Sequence, residues 1–323
     1  MLDRFQKVVI LINPASTGAR HIRYRVKELQ SLFPDSTVTV IRTTNKDRDA
    51  TSDILVAHAD ELGPHTLLGI GAGDGTTSVV VETLVRDKRL PEKARSTVVI
   101  PLWGGNANDL ANMLNGSANE AKLSTILDMG KIVPIYPLYL DFDLADKNHV
   151  SKIAVCNASF GATAYVAVKL NGSRFRKSRL HTYPGGRMIK ETMTAVTSLL
   201  RAPTFKIIDN GVEKEVYERM FSNGSRFAKF YQMPVALNEK QVYVNTIEGK
   251  RIVTILLLLL SGSFSRFSTD HQLSNAMKFL VQTSTQSQFD GETWEIPAQT
   301  QVTAHISDQP FYALSTLLKL SNS

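Results

Sequence analysis

Five apolar residues in a row, Val8-Val9-Ile10-Leu11-Ile12, open the patterned part of the chain. A run with no polar alternation predicts a strand covered on both faces. Asn13-Pro14 ends it, and a loop reaches Gly18. Ile22, Val26, Leu29 and Phe33 then recur at helical spacing. Val38 to Ile41 predicts a second strand, Ala50 to Leu62 a second helix, and Leu67 to Ile70 a third strand that runs into Gly71-Ala72-Gly73-Asp74-Gly75. Val79, Val80, Val81, Leu84 and Val85 carry a third helix, and Val98-Val99-Ile100 a fourth strand stopped by Pro101. Strict strand–helix alternation predicts a doubly wound, mostly parallel sheet.

The pattern changes after about Ile132. Short β-type runs follow at Tyr139–Phe142, Ile153–Cys156, Phe205–Ile208, Val242–Val244 and Val302–Ile306, with turn signals at Asn210-Gly211, Asn223-Gly224 and Asp290-Gly291. Helices are expected at Arg187 to Leu200 and at Phe311 to Leu320. The fold class is therefore α/β plus β. An α/β domain occupies residues 1–132, an antiparallel β-sandwich domain 133–307, and a closing helix 308–323 packs back on the first domain.

Composition narrows the picture little. Of 323 residues, 43% are hydrophobic and 21% charged, enough for two cores and against wholesale disorder. The longest apolar run, Ile252 to Leu260, is interrupted by Thr254 and falls short of the ~20 residues a spanning helix needs; it reads as a buried helix or strand. Met1 to Lys7 is no signal peptide, and the single cysteine, Cys156, excludes an internal disulfide. The expected compartment is the cytoplasm. A net charge of +7 suits an anionic partner without selecting one. Arg174, Arg176, Lys177, Arg179, His181, Arg187 and Lys190 form a dense basic stretch that suits a solvated loop at least as well as a membrane surface. No nucleic-acid motif and no zinc-type histidine or cysteine spacing is present.

Chemistry concentrates between Leu67 and Leu84. Glycines let a ligand approach main-chain N–H groups, and the following helix turns its positive end to the same point, an arrangement that favours phosphate. Asp74 at the apex is unusual, because a carboxylate among phosphates repels them unless it holds a cation or accepts a proton. As a plain helix cap it would carry no chemistry at all. A second strand–turn–helix follows at Pro101 to Ala111, with Gly104, Gly105, Asn106, Asn108 and Asp109, and Asn13 to Gly18 makes a third loop. In a parallel sheet all three lie at the carboxyl edge of the strands, where such sheets bind ligands.

These segments, with Asn157-Ala158-Ser159-Phe160-Gly161 and Asp290-Gly291-Glu292, resemble the ordered motifs of the diacylglycerol kinase-like lipid kinases, which include sphingosine and ceramide kinases. The resemblance implies a cleft between the domains in which MgATP gives its γ-phosphoryl group to a lipid hydroxyl. It places Asn13, Pro14, Ala15, Ser16, Thr17, Gly18, Thr44, Ala72, Gly73, Asp74, Gly75, Thr76, Thr77 and Ser78 at ATP, joined by Asn106, Asn108 and Asp109. Asp74, Asp290 and Glu292 are its candidate catalytic carboxylates, with the choice of base left open. Glu239 is the candidate ligand of a structural Mg²⁺.

The chain departs from the family pattern at several points. Ala72 replaces a glycine, Asn106 a threonine, Val79 a glutamate and Thr163 an aspartate; Phe227-Ala228-Lys229 replaces a glycine cluster, and Glu239-Lys240 stands where Asp-Gly is usual. The expected partners are a lipid substrate at an anionic membrane surface, with peripheral attachment at its inner face, and a second copy of the chain in a homodimer. Two other readings stay open: an NAD kinase-like enzyme, whose family shares the Gly-Asp-Gly turn, and a catalytically weakened nucleotide- or lipid-binding homologue.

Overall fold

A computed structural model describes residues 4–16, 18–34, 36–43, 48–105, 108–172, 184–227, 231–233, 235–249 and 270–318. The first part runs β1 (Lys7–Ile12), α1 (Ala19–Ser31), β2 (Thr37–Arg42), α2 (Arg48–Ala57), β3 (Thr66–Gly71), α3 (Asp74–Arg86), β4 (Val98–Pro101), α4 (Asp109–Asn115), α5 (Leu123–Met129) and β5 (Lys131–Ile135). β2, β1, β3 and β4 pair in parallel in that spatial order. β3 is buried along its whole length. Apolar side chains pack on both faces of the sheet: Val9, Leu11, Leu68 and Ile70 join the core under α2 and α3, while Val8, Ile10 and Leu67 join the core under α1 and α5. The continuous apolar runs in the sequence thus have their physical cause in two-sided burial.

The second part runs β6 (Leu138–Asp143), β7 (His149–Ala154), β8 (Asn157–Gly161), α6 (Ala162–Asn171), α7 (Pro184–Arg201), β9 (Phe205–Asp209), β10 (Val212–Ser222), β11 (Arg226–Phe227), β12 (Tyr231–Gln232) and β13 (Val242–Glu248). It continues with β14 (Asp270–Ser274), β15 (Ala276–Val281), β16 (Thr285–Phe289), β17 (Glu292–Ile296) and β18 (Thr300–Ile306). The expected antiparallel pairing is present, and the sandwich-like core is closed by one curled 11-stranded sheet. β10 makes this continuity possible: its first half pairs β9, its second half pairs β8, and its other edge pairs β13. The enclosed core is aromatic. Phe160 meets Phe221 and Phe279 edge-on at 5.5 and 5.6 Å, and Phe142 meets Trp294 at 4.9 Å. Within it Arg219 pairs with Asp209 at 2.9 Å and lies 4.5 Å above the Phe279 ring.

The chain then returns to the first sheet. Phe311–Ser315 is β19, inserted parallel to β4 and antiparallel to β5. The helix expected over Phe311 to Leu320 is therefore corrected to a strand. Phe311, Ala313 and Leu314 are almost fully buried, and Asn115 Nδ2 donates to the Leu314 carbonyl at 3.0 Å. A short apolar run fits helical and extended periodicity alike, and here the vacancy between β4 and β5 decides. β5 belongs to this sheet too, so the chain crosses between the two sheets at Tyr136-Pro137. The run Ile252 to Leu260 lies outside the described residues.

Candidate active site

Three loops meet at the carboxyl ends of β1, β3 and β4, backbone against backbone. Gly18 N–H donates to the Gly104 carbonyl at 3.1 Å. A Cβ on Gly104 would stand 2.6 Å from the Ala72 nitrogen, and one on Gly105 would stand 2.6 Å from Gly73 Cα. Glycine is thus required at 104 and 105 by contact with neighbouring main chain, which cannot swing aside. Ala72, where the resemblance expects glycine, is accommodated in the core beneath. Asn108, at φ 53°, closes its own loop: its Oδ1 accepts from Gly105 N–H at 2.6 Å and its Nδ2 donates to the Gly105 carbonyl at 3.0 Å. Asn13 ties the first loop to the second by donating from Nδ2 to Thr76 Oγ1 at 2.9 Å, while its Oδ1 accepts from Ala15 N–H at 3.0 Å.

Asp74 opens α3 behind the extended Gly73. Its carboxylate accepts backbone N–H groups of Asn108 and Leu110, and the residue is half-buried. Desolvation, then repulsion from Asp109 and Asp290, pushes its pKa up to about 8, against the pull of those two amides. Gly73, Asp74, Gly75 and Thr76 are half-buried, whereas Thr77 and Ser78 are buried. Thr77 Oγ1 bonds the Gly73 carbonyl at 3.1 Å.

The late Asp-Gly-Glu turn comes to the same helix. Ser78 Oγ donates to Asp290, which also accepts N–H bonds from Val155, Cys156 and Asn157 at 2.5, 3.1 and 3.0 Å. Four donors therefore surround Asp290, although burial still raises its pKa overall. Glu292 is engaged as well, accepting from Arg48, whose second guanidinium nitrogen bonds Glu82 on α3. Burial works against the Arg48 charge, but Glu292 and Glu82 outweigh it and raise its pKa.

At the other end of β8, Thr163 holds no head-group acid of its own. Its N–H and Oγ1 donate instead to Glu218 of β10, and its Oγ1 meets Ser159 Oγ at 2.7 Å. Burial drives Glu218 up to about 8 despite those donors and the Ala162 N–H. Glu239 is exposed, with Ala236 N–H at 3.5 Å, and among the described residues no three His, Cys, Asp or Glu side chains gather as a metal would need. That donor set does not fit the structural Mg²⁺ site.

Of the residues singled out in the sequence, Asn13, Pro14, Ala15, Ser16, Gly18, Ala72–Ser78, Asn108, Asp109, Asp290 and Glu292 belong to this loop cluster or the turn beside it. Thr17, Thr44, Asn106 and most of the basic stretch lie outside the described residues. Arg48, Glu82 and Glu218 went unnoticed in the sequence. Their partners lie 34 to 244 positions away for Arg48 and 55 for Glu218, so no local spacing marks them.

Residues 7–137 match the family described as diacylglycerol kinase catalytic domain. No curated protein matches the sequence. Among solved structures, the fold is similar to a diacylglycerol kinase from Bacillus anthracis, at 15% identity and a TM-score of 0.63 over 97% of each chain. It is also similar to yeast NADH kinase complexed with NADH, at 11% identity and a TM-score of 0.53 over 97% of this chain and 84% of that one. No helix among the described residues is long and apolar enough to cross a membrane.

Proposed function

Since the chain carries the catalytic domain of the diacylglycerol kinase-like family at residues 7–137, we propose that it transfers the γ-phosphoryl group of ATP to the hydroxyl of a diacylglycerol-like lipid. The observation that carries this reading is the fused set of glycine loops with one carboxylate, Asp74, left partly open at their centre. The first N–H groups of α3 have no intrahelical acceptor and lie at the positive end of the helix dipole, so they suit phosphate. At Gly73, Gly104 and Gly105 the space a side chain would take is filled by the other loops, which supports a backbone cradle held in place.

The same geometry separates the three candidate carboxylates. Asp290 is surrounded by four donors and Glu292 is tied to Arg48. Both therefore act as braces that seat the second sheet against α3. Asp74 is the group placed to take the acceptor's proton, and a pKa of about 8 puts it near the working pH of a general base. In the proposed step the lipid oxygen bonds to the γ-phosphorus as the bond to the bridging oxygen breaks. ADP leaves, a lipid phosphate monoester forms, and the hydroxyl proton passes to Asp74. Mg²⁺ belongs to the proposal as counter-ion of the triphosphate, where it would supply charge neutralisation.

The test is incubation with γ-labelled ATP and vesicles containing diacylglycerol, with NAD offered in parallel. Label in the organic phase is expected. Label in NAD alone would replace the lipid reading with the NAD kinase one, whose support is the likeness in fold to the yeast enzyme. No label in either, with ATP still raising the melting temperature, would mark a binding homologue.

A further inference from the structure

Among the described residues, the large apolar side chains left exposed are scattered singly, with one exception. Tyr24, Val40, Met129, Val212, Leu273 and Leu317 stand apart along the fold, the ordinary condition of a protein surface. Helix α7 carries two together, Met193 at 63% and Leu200 at 39% exposure. Seven residues separate them in the sequence, about two helical turns, so they share one face. Half-buried Val196 and exposed Thr197 fall between them on that face. Thr197 Oγ1 donates to the Met193 carbonyl at 2.8 Å and reaches the Thr194 carbonyl at 3.2 Å, so the hydroxyl is satisfied inside the helix. Packing does not account for the stripe. The opposite side of α7, at Ser198 and Leu199, already meets the fold, with Leu199 in a core cluster beside Ala162 and Tyr217.

We propose that this face of α7 docks the protein on an anionic lipid bilayer. Charge selects that occupant. Lys190 and Arg201 line, together with Thr197, the groove between α7 and α6, so they edge the stripe along one side; Lys169 joins them from α6, and no acid lines that groove. Arg201 in part offsets the negative end of its own helix, and Lys190 has a partner within the fold. The excess therefore rests more on the sequence joining the two helices, which carries Arg174, Arg176, Lys177 and Arg179 and no acid. An apolar stripe edged by cations is the pattern of a helix that lies in a membrane interface. A second copy of this chain would set like charges against like.

The inference rests on the proposed reaction for its purpose, since that acceptor lies in a bilayer, but not for its test. The docking face also has a physical route to the cleft. α6 packs beside α7 and ends at Asn171, whose Nδ2 donates to the Gly291 carbonyl at 3.0 Å, in the turn that carries Asp290 and Glu292. A bilayer held by α7 is thus one helix away from that turn.

Flotation tests the face, with vesicles of phosphatidylcholine alone and of equal parts phosphatidylcholine and phosphatidylglycerol. The full chain is compared with Met193→Gln, with Met193→Gln plus Leu200→Gln, and with Met129→Gln as an exposed apolar control on the first domain. Melting curves establish that each variant folds. The parent and Met129→Gln should float with the anionic vesicles and not with phosphatidylcholine alone. Each α7 substitution should weaken that binding by about tenfold, the worth of one apolar side chain returned to water. A parent that floats with neither mixture, or folded α7 variants that float as the parent does, would overturn the docking face. Equal flotation on both mixtures would overturn the anionic assignment. A dimer in sedimentation that the α7 variants split, without flotation, would give the face to a second copy instead. Label transfer from ATP to a water-soluble short-chain diacylglycerol, run alongside, reports the reaction without a bilayer. Flotation as expected with no transfer leaves the docking face standing and removes the proposed reaction; transfer without flotation does the reverse.

Discussion

At the scale of single residues, the site depends on a carboxylate whose burial outweighs the two backbone amides that it accepts. Asp74 has a pKa near 8 because it is desolvated and faces Asp109 and Asp290. A base must be ionised to work, so turnover should climb as pH rises toward 8 and level off above it. Asp74→Asn should abolish turnover while the chain still folds; a pH–rate profile and a melting curve on both proteins check this. Gly105→Ala sets a Cβ against Gly73 Cα, and overpacking of this kind costs ~1–3 kcal/mol. A lower melting temperature with weakened ATP binding is expected. Glu218 titrates near 8 when folded, against 4.5 when free. The folded chain keeps a proton that the unfolded chain has released, so stability falls as pH rises through that window and is flat above it. Glu218→Gln should reduce the slope of a denaturation midpoint measured from pH 5 to 8.

At the scale of elements, β19 shows what the sequence conveyed and what it did not. The glycine loops were legible because each sits between an apolar run and a helical one, a signal contained in a dozen residues. Phe311–Ser315 was not, because its identity as a strand depends on an edge offered by β4 and β5 some 180 or more positions earlier. Continuity of the second sheet was hidden for the same reason: the turns along β9 and β10 are readable, but the two pairings on one edge of β10 are set by tertiary contact. Truncation before Phe311 should therefore unfold the first sheet, not merely shorten it, since each large apolar side chain lost from full burial costs ~1.5–3 kcal/mol. Loss of its cooperative melting transition is the expected reading. Arg219→Met should cost ~3–5 kcal/mol, because it takes from the buried Asp209 its guanidinium partner.

At the scale of the whole molecule, α3 ties the two sheets together. α3 presents Asp74 to the cleft, Ser78 to Asp290, and Glu82 through Arg48 to Glu292. Away from that seam, Thr163 donates from its N–H and Oγ1 to Glu218 of β10. Arg48→Ala removes two ion pairs, to Glu82 and Glu292, each about a quarter to a third exposed and worth about 1 kcal/mol at most. Faster hydrogen exchange should follow at the Val155, Cys156 and Asn157 amides that hold Asp290.

All of this presumes that the α3 amides are where the triphosphate sits. Crystals soaked with a non-hydrolysable ATP analogue measure that directly. The β- and γ-phosphates should lie within hydrogen-bonding distance of the first-turn N–H groups of α3, beside Gly104 and Gly105. Phosphates seated instead among Arg48, Arg86 and Arg89, between α2 and α3, would contradict the account.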